Sequence, residues 1–314
     1  MWNEEIVTTS EESTAATMRH SPLGDSLIHG REWILNRLAG AKPSLVINQA
    51  LFDMEMPPSA DLAARLKQTL DELKISAMDA GGSVVDYTAL RHSEAYADYQ
   101  EECLAALRHF EPESLPTENS RRAFWINLYN ALVLDAVITF GVKSSVTEGR
   151  LGILAFFRRA AYVIDGRRVS LEDIEHGILR GNRGNPYVPG PHFASDDPRL
   201  AWSLPLDPRL HFALNCGGRS CPPIRFYAAE KLDAQLDLAG RGFVDASVEI
   251  RPEKNQVQLS RILSWYAKDF GGREGVLHFL IAHLPDDQRR DFLIKAGGTA
   301  RLKYTPYDWG LNSV

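Results

Sequence analysis

Cysteine is scarce in this sequence, since Cys103, Cys216 and Cys221 are the only three in 314 residues. So small and odd a number does not form the disulfide framework of a small secreted domain, and it is typical of a reducing compartment. Residues 1–17 are polar and acidic, without the basic-then-apolar order of a secretory signal. We therefore expect a cytoplasmic protein.

Positive charge is not in excess either, because 35 Lys and Arg stand against 41 Asp and Glu, for a net charge of −6. This balance argues against electrostatic binding of nucleic acid or acidic membranes by the chain as a whole. The most apolar segment, 123–140, contains Asn127, Asn130 and Asp135, which would be costly in lipid, so we expect a core helix and no membrane span. The partner classes that remain are a small-molecule or peptide substrate and another protein.

Several common functional motifs are missing from the sequence. It contains no Walker A loop, GxGxxG, HExxH or GxSxG, which removes the commonest nucleotide-binding, zinc-protease and serine-hydrolase interpretations. We accordingly expect no cofactor.

Helical patterns and antiparallel hairpins are interspersed, and strands and helices do not alternate as in βαβ units. The predicted fold class is therefore α+β, mainly helical with short antiparallel strands. Residues 1–29 are predicted to be a disordered tail, 30–80 a helical extension, and 84–314 the main domain. The predicted helices cover 31–38, 61–73, 93–110, 121–140, 171–179, 222–239, 261–269, 274–283 and 286–295; the predicted strands are 211–215, 301–304 and hairpins over 162–170 and 248–259.

Four segments carry a recognisable signature: AFWINLYNA at 123–131, SLEDIEHGILR at 170–180, DPRLHFALNCGGRSCPP at 207–223, and YTPYDWGLN at 304–312. In this order and spacing they resemble the domain of unknown function 547 family, over about residues 84–312. The family name assigns no activity, so the resemblance implies where a site lies and not which reaction it performs.

A further resemblance lies upstream, where GREWI at 30–34 and VINQALFD at 46–53 look like part of a DEP domain, a small winged-helix adaptor. The wing strands that should follow are missing, and Pro57-Pro58 comes instead. The alternative is a plain helical extension.

The strongest chemical signal is Cys221, which directly precedes Pro222-Pro223 and the helix predicted over 222–239. A thiol at a helix N-terminus is stabilised as thiolate by the dipole and the free N–H groups, and Arg219 adds positive charge. Cys216 ends the predicted strand five residues earlier, and the intervening loop can bring the two sulfurs together. Cys103, on an apolar helix face, is expected to be a small core residue.

Other candidate catalytic residues accompany the two cysteines. If the fold collects them, a nucleophile, a base and an orienting carboxylate or amide are present, as thiol-dependent acyl transfer requires. Each also has a structural interpretation, such as a buried thiol, a satisfied histidine, an aspartate that caps or pairs with an arginine, or asparagines that bond to loop backbone. The candidates are His211, His176, Glu175, Asp308 and Asn127, with Asn130 on the same helix face as Asn127.

Two further interpretations use the same side chains. His176, His211, Cys216 and Cys221 would supply the ligands of a tetrahedral zinc site, although the spacing is not the usual CxxC pair. Cys216 and Cys221 would also suit a redox pair, again without CxxC spacing. Two function classes follow: a cysteine-dependent hydrolase or acyl transferase acting on an amide or thioester, and a non-catalytic interaction or scaffolding module.

Overall fold

The computed structural model describes residues 22–51, 61–149 and 151–314. It is mainly helical with two small sheets, which confirms the predicted α+β class. The α-helices are α1 (Pro22–Ala39), α2 (Leu62–Ala77), α3 (Tyr87–Arg91), α4 (Glu94–Asp98), α5 (Ala105–Leu107), α6 (Glu118–Phe140), α7 (Gly152–Arg159), α8 (Leu232–Ser247), α9 (Ile262–Trp265), α10 (Gly272–His283) and α11 (Gln288–Ala296). The strands are β1 (Ala161–Ile164), β2 (Arg167–Ser170), β3 (Glu249–Arg251), β4 (Gln256–Leu259) and β5 (Arg301–Tyr304).

Helix α6 runs through the larger of two hydrophobic clusters, and every residue from Arg122 to Val137 is buried. The sequence predicts Ser120 as its N-cap and Gly141 as its stop. The N-cap is instead Thr117, three residues earlier, and Ser120 completes a capping box with it, so the helix begins at Glu118. It ends as predicted at Gly141, which adopts a left-handed conformation. By length and composition α6 could cross a membrane, but 83% of its most apolar window is buried inside the protein, as in the core helix of a water-soluble domain.

The hairpin predicted over 162–170 is confirmed as β1 and β2, which pair antiparallel. Asp165 and Gly166 both have positive φ, 46° and 70°, as a primed two-residue turn requires. A π-helix, Asp173–Leu179, follows β2 directly, and Ser170 Oγ accepts a hydrogen bond from the Asp173 N–H at its start. The predicted helix over 171–179 is therefore present, with the wider π geometry along most of its length.

The second hydrophobic cluster lies around β4, α8, α10 and α11. The hairpin predicted over 248–259 is confirmed, and the predicted strand 301–304 is β5, which pairs parallel with β4 and not in a hairpin. The chain then returns to the larger cluster, where Leu311 is buried and Asn312 N–H donates to the Gly217 carbonyl. The C-terminal segment is thus part of the folded core.

Two predicted elements beside the site are wrong. Residues 222–228 are extended and contain no helix; after a 3₁₀ turn at Ala229–Lys231, α8 begins only at Leu232. Residues 211–215 are not a strand, because a 3₁₀ turn covers Pro208–Phe212, started by Asp207, whose carboxylate accepts the Arg209 N–H. Cys221 is therefore not a helix cap, and the dipole argument for its thiolate no longer applies.

The N-terminal predictions also need correction. The described part of the predicted disordered tail, 22–29, is the first part of α1, and the carboxylate of Asp25 in it accepts the Ser195 N–H. The DEP-like stretch contains a 3₁₀ turn at Ile47–Leu51, and Pro57-Pro58 lies outside the described residues. The helix predicted over 93–110 consists of α4, a π-helical stretch at Tyr99–Leu104, and α5.

Candidate functional site

A cavity of about 380 Å³ opens where the π-helix after β2, the 216–222 loop, α9 and the C-terminal segment meet. Its lining includes five of the candidates named from the sequence: Glu175, His176, His211, Cys216 and Cys221. The remaining walls are largely apolar or aromatic, formed among others by Phe157, Leu214, Ile262, Trp265, Tyr266, Tyr307 and Trp309. A concave, mostly apolar cavity with a few convergent polar groups is the usual form of a small-molecule site.

Cys216 and Cys221 form a disulfide in this structure, with their Cα atoms 6.1 Å apart. Tyr307 Oη lies 3.1 Å from Cys216 Sγ and 2.9 Å from Cys221 Sγ, and the Cys216 N–H donates to Cys221 Sγ at 2.9 Å. Among the described residues, neither sulfur hydrogen-bonds to His176 or His211. The thiolate predicted for Cys221 can therefore exist only after the disulfide is reduced.

His211 is held by a carboxylate that the sequence analysis did not find. His211 Nε2 lies 2.9 Å from Asp269 Oδ2, and Arg180 donates to the same carboxylate through Nε at 2.6 Å and Nη2 at 3.0 Å. Burial opposes ionisation of Asp269, but the hydrogen bonds from His211 and Arg180 prevail and lower its pKa to about 2. Because an ionised carboxylate only accepts, His211 Nε2 carries the proton.

The His211 ring stacks on the Tyr266 ring at a centroid distance of 3.9 Å, which fixes its plane. Burial lowers the pKa of His211, although the hydrogen bond to Asp269 acts in the opposite direction. The imidazole is therefore neutral near pH 7, with its proton on Nε2 and a lone pair on Nδ1.

His176 has different neighbours. Arg180 Nη1 lies 3.0 Å from its Nδ1, and an arginine can only donate, so Nδ1 accepts and the proton sits on Nε2. The nearer neighbour of Nε2 is the side-chain amide of Asn185, whose nitrogen lies 3.3 Å away. The carboxylate of Glu172 lies 3.9 Å from Nε2, and that of Glu175 lies 3.8 Å from Nδ1. Burial, and next the charge of Arg180, lower the pKa of His176 well below its ordinary value, so this histidine is also neutral.

Glu175 is positioned by two phenols. Tyr129 Oη donates to its Oε2 at 3.0 Å, and Tyr266 Oη donates to its Oε1. Burial and the charge of Glu175 raise the pKa of both tyrosines well above the ordinary value, so both keep their protons. Burial also raises the pKa of Glu172, against the opposing charge of Arg158 at 3.5 Å. Such a carboxyl holds a proton more readily than an exposed one, which suits a general acid.

The remaining sequence candidates do not reach the cavity. Asn127 is buried in α6, where its amide donates to the Tyr227 carbonyl at 2.8 Å and accepts the Tyr227 N–H at 2.7 Å. Asp308 is exposed, accepts the Gly310 N–H at 2.8 Å, and lies 3.8 Å from Arg219. Both therefore fit the structural interpretation: Asn127 bonds to loop backbone, and Asp308 stabilises a turn beside an arginine. Neither has a part in the proposed chemistry.

The zinc interpretation has no geometric support in the described part of the chain. No group of three or more His, Cys, Asp or Glu side chains lies close enough together there to hold a metal ion. The two sulfurs are bonded to each other, and the two imidazoles are turned to Asp269 and Arg180.

Sequence reasoning missed several residues that shape this site. Tyr129, Glu172, Arg180 and Tyr307 lie inside the four signature segments, so weighing every polar side chain of those segments would have found them. Asp269 and Tyr266 lie in none of these segments, and no local pattern marks them.

Comparison with known proteins identifies the central part of the chain. Residues 112–244 match the family described as "Protein of unknown function, DUF547". No curated protein and no solved structure matches the chain, and the DEP-like segment at 30–53 has no matching family. The matched segment includes His176, His211 and both sulfurs of the cavity, whereas Asp269 and Tyr307 lie beyond it. This match agrees with the resemblance of three of the four signature segments, 123–131, 170–180 and 207–223, whereas the fourth, 304–312, lies outside it.

Proposed function

We propose that this protein is a cysteine-dependent hydrolase or acyl transferase for amides or thioesters, active when Cys216–Cys221 is reduced. The observation that carries the proposal is that both sulfurs line one cavity together with His211, whose Nε2 is bonded to Asp269. A base held by a carboxylate beside a thiol is the arrangement that nucleophilic acyl transfer needs. Asp269 takes the orienting role that sequence reasoning gave to Asp308 or Asn127.

Cys221 is the proposed nucleophile. Two donors already face its sulfur, the Tyr307 hydroxyl at 2.9 Å and the Cys216 N–H at 2.9 Å. Burial raises the pKa of Tyr307, so its hydroxyl keeps the proton that it donates. Hydrogen bonds to an ionised group lower its pKa, so these donors would favour a thiolate in place of the helix dipole. Cys216 is then the resolving thiol that closes the disulfide.

The reaction needs a reductant first, and an external dithiol supplies it. The dithiol reduces the disulfide to two thiols and is itself oxidised to a disulfide. The imidazole of His211 then takes the proton of Cys221, and the sulfur bonds to the substrate carbonyl carbon. Collapse of the tetrahedral intermediate breaks the amide C–N or thioester C–S bond, and the imidazolium gives its proton to the leaving group. Water or an acceptor amine releases the acyl group.

The cavity walls indicate the kind of acyl group. Phe157, Ile262, Trp265 and Trp309 present apolar surface, and the acidic and basic side chains of the lining are Glu172, Glu175, His176 and His211. An acyl chain or ring without charge fits such walls. The proposal takes the cytoplasm as the compartment, because its thiol pool would keep the two cysteines reduced.

The test is hydrolysis of acyl thioester and anilide probes with and without a dithiol reductant. We expect activity only after reduction, and its loss in Cys221→Ala and in His211→Gln. Cys103→Ala is the matched control, because Cys103 is buried away from the cavity and should leave the rate unchanged. Turnover without reductant, or turnover that survives Cys221→Ala, would rule out the thiol mechanism.

A second function, a non-catalytic interaction module, is favoured by one specific feature. Helix α1 presents exposed apolar side chains to solvent, which a surface helix of an isolated domain rarely does. Hydrolysis and interaction are separable, because α1 contributes no residue to the lining of the cavity.

A further inference from the structure

Helix α1 docks onto the domain with its polar face. The carboxylate of Asp25 accepts the Ser195 N–H at 2.8 Å, and Glu32 pairs with the buried Arg158 at 2.7 Å. Asn36 accepts a further hydrogen bond from Arg158 at 3.1 Å. Ile28 and Leu35 are half-buried and Ala39 is buried on the docked side. Surface helices normally bury their apolar side, but several large apolar side chains of α1 remain exposed.

The outward face of α1 carries an apolar stripe, formed by Leu23, Leu27, Ile34 and Leu38. Their exposed fractions are 78%, 75%, 52% and 55%. At 3.6 residues per turn the four side chains fall within about 60° of one another around the helix axis. The stripe thus runs along one side of α1 as two apolar pairs, Leu23 with Leu27 and Ile34 with Leu38, separated by the turn that holds Gly30 and Arg31. None of the described residues covers it.

The order of residues in the stripe is symmetric about its midpoint, between Gly30 and Arg31. Leu23 and Leu38 lie equally far from this point on either side, and so do Leu27 and Ile34. Gly30 has no side chain, and a Cβ placed on it would meet nothing within 4 Å, so another helix can approach closely there. A two-fold interface requires one surface to be complementary to itself, and this symmetric stripe meets that requirement.

We propose that the stripe binds the same stripe of a second copy of this chain, with the two α1 helices antiparallel. Leu23 of one copy then packs on Leu38 of the other, and Leu27 packs on Ile34. Two arginines lie beside the stripe. Arg37 is exposed and comes level with Gly24 of the second copy. Arg31, next to the midpoint, comes level with Gly30, and its guanidinium is held within its own copy by Glu32 and by the Pro189 and Pro191 carbonyls.

The size of the surface sets the strength of this association. Two such stripes together bury on the order of 1,000 Å², at the lower limit of stable specific interfaces. The dimer is therefore expected to dissociate on dilution. Residues 1–21 and 52–60 of the same chain are the alternative segments that could cover the stripe. If either covered it, the protein would be a monomer.

The first test is sedimentation velocity of the full chain over a wide concentration range. We expect a reversible monomer–dimer equilibrium, shifted to monomer in the double variant Leu27→Glu/Ile34→Glu. Ile75→Glu is the matched control, because Ile75 is an 84% exposed apolar residue on α2, outside the stripe, and it should dimerise like the unaltered protein. A monomer at every concentration, or an equal loss in the control, would overturn the proposal.

The second test fixes the orientation of the helices. In the antiparallel pair, Gly30→Cys lies beside its own counterpart and should form an intermolecular disulfide under mild oxidation. Leu23→Cys should not, because the two copies of residue 23 are about 22 Å apart along the axis, but mixing it with Leu38→Cys should restore cross-linking. Cross-linking of Leu23→Cys alone would mean a parallel pair and would refute the antiparallel arrangement.

Discussion

Asp269→Asn is expected to lower the free energy of unfolding by about 3 kcal/mol or more, as removing one partner of a buried ion pair does. The carboxylate of Asp269 accepts two hydrogen bonds from Arg180 and one from His211, and all three groups are buried. Asparagine keeps one acceptor oxygen but replaces the other by an NH₂ group that faces these donors. At least one hydrogen bond to a charged group, worth about 1.5–3 kcal/mol, is lost, and the buried guanidinium loses its counter-charge.

The pH dependence gives the same prediction an independent check. The folded-state pKa of Asp269 is about 2, below its ordinary 3.8. When the pKa of a carboxyl is lower in the folded than in the unfolded state, its ionised form stabilises the fold. This stabilisation is complete at pH values above the pKa in the unfolded state, and it is lost as the pH falls towards the pKa in the folded state. The gap in unfolding free energy between the unaltered protein and Asp269→Asn should therefore be constant above about pH 5 and shrink between about pH 4 and pH 2.

Urea unfolding followed by tryptophan fluorescence measures this gap at each pH. Asp308→Asn is the matched control, because Asp308 is exposed and its arginine neighbour lies 3.8 Å away, so the cost should stay below about 1 kcal/mol. A loss below about 1 kcal/mol for Asp269→Asn, or a gap that does not change with pH, would show that the Arg180–Asp269–His211 cluster does not stabilise the fold in this way.

Three further outcomes follow from the packing. Burial raises the pKa of the Cys103 thiol to about 11, so iodoacetamide near neutral pH should label it only after unfolding; mass spectrometry that finds native labelling would contradict this. Gly177→Ala should lower the free energy of unfolding by about 1–3 kcal/mol, because its Cβ would lie 2.2 Å from the Phe193 ring. Gly242→Ala has nothing within 4 Å of its Cβ and should be neutral or slightly stabilising. Equal urea midpoints for the two variants would refute the clash. Deleting residues 301–314 removes β5 and the C-terminal core contacts and should abolish the cooperative transition in calorimetry, which a normal melting curve would disprove.

Elements fixed by local chemistry were predictable from the sequence. The Asp165-Gly166 turn needs two positive φ angles, which few residue pairs tolerate, so the hairpin followed from two residues. Helix α6 followed from its apolar run and its Gly141 stop. In both cases the deciding interactions lie within a few residues of one another along the chain.

The extended segment 222–228 was not predictable in this way, because distant side chains satisfy its backbone. Asn127 bonds to both the N–H and the carbonyl of Tyr227, and Asn130 bonds to the Arg225 carbonyl. Proline at a helix start and proline in a buried extended chain look alike locally. What decides between them is where the backbone hydrogen bonds go, and here they go to asparagines about a hundred residues upstream.

The same limit applies to the site. Two of the four signature segments, 170–180 and 207–223, contain the candidates that line the cavity, Glu175, His176, His211 and the two cysteines. They did not reveal Asp269, which lies 58 residues beyond His211. A lone aspartate carries no spacing signal, so its role appears only once the fold places it beside a histidine.

Arg180 decides which of the two cavity histidines can serve as the base. It donates to His176 Nδ1, which leaves His176 with an N–H on Nε2 and no free lone pair for a substrate or thiol. It also donates to Asp269, which keeps that carboxylate ionised and so places the proton of His211 on Nε2. The lone pair on His211 Nδ1 remains available. His176 is thus a hydrogen-bond donor and His211 the base, so His211→Gln should abolish the thiol-dependent rate, whereas His176→Gln, which keeps an N–H donor, should reduce it only in part.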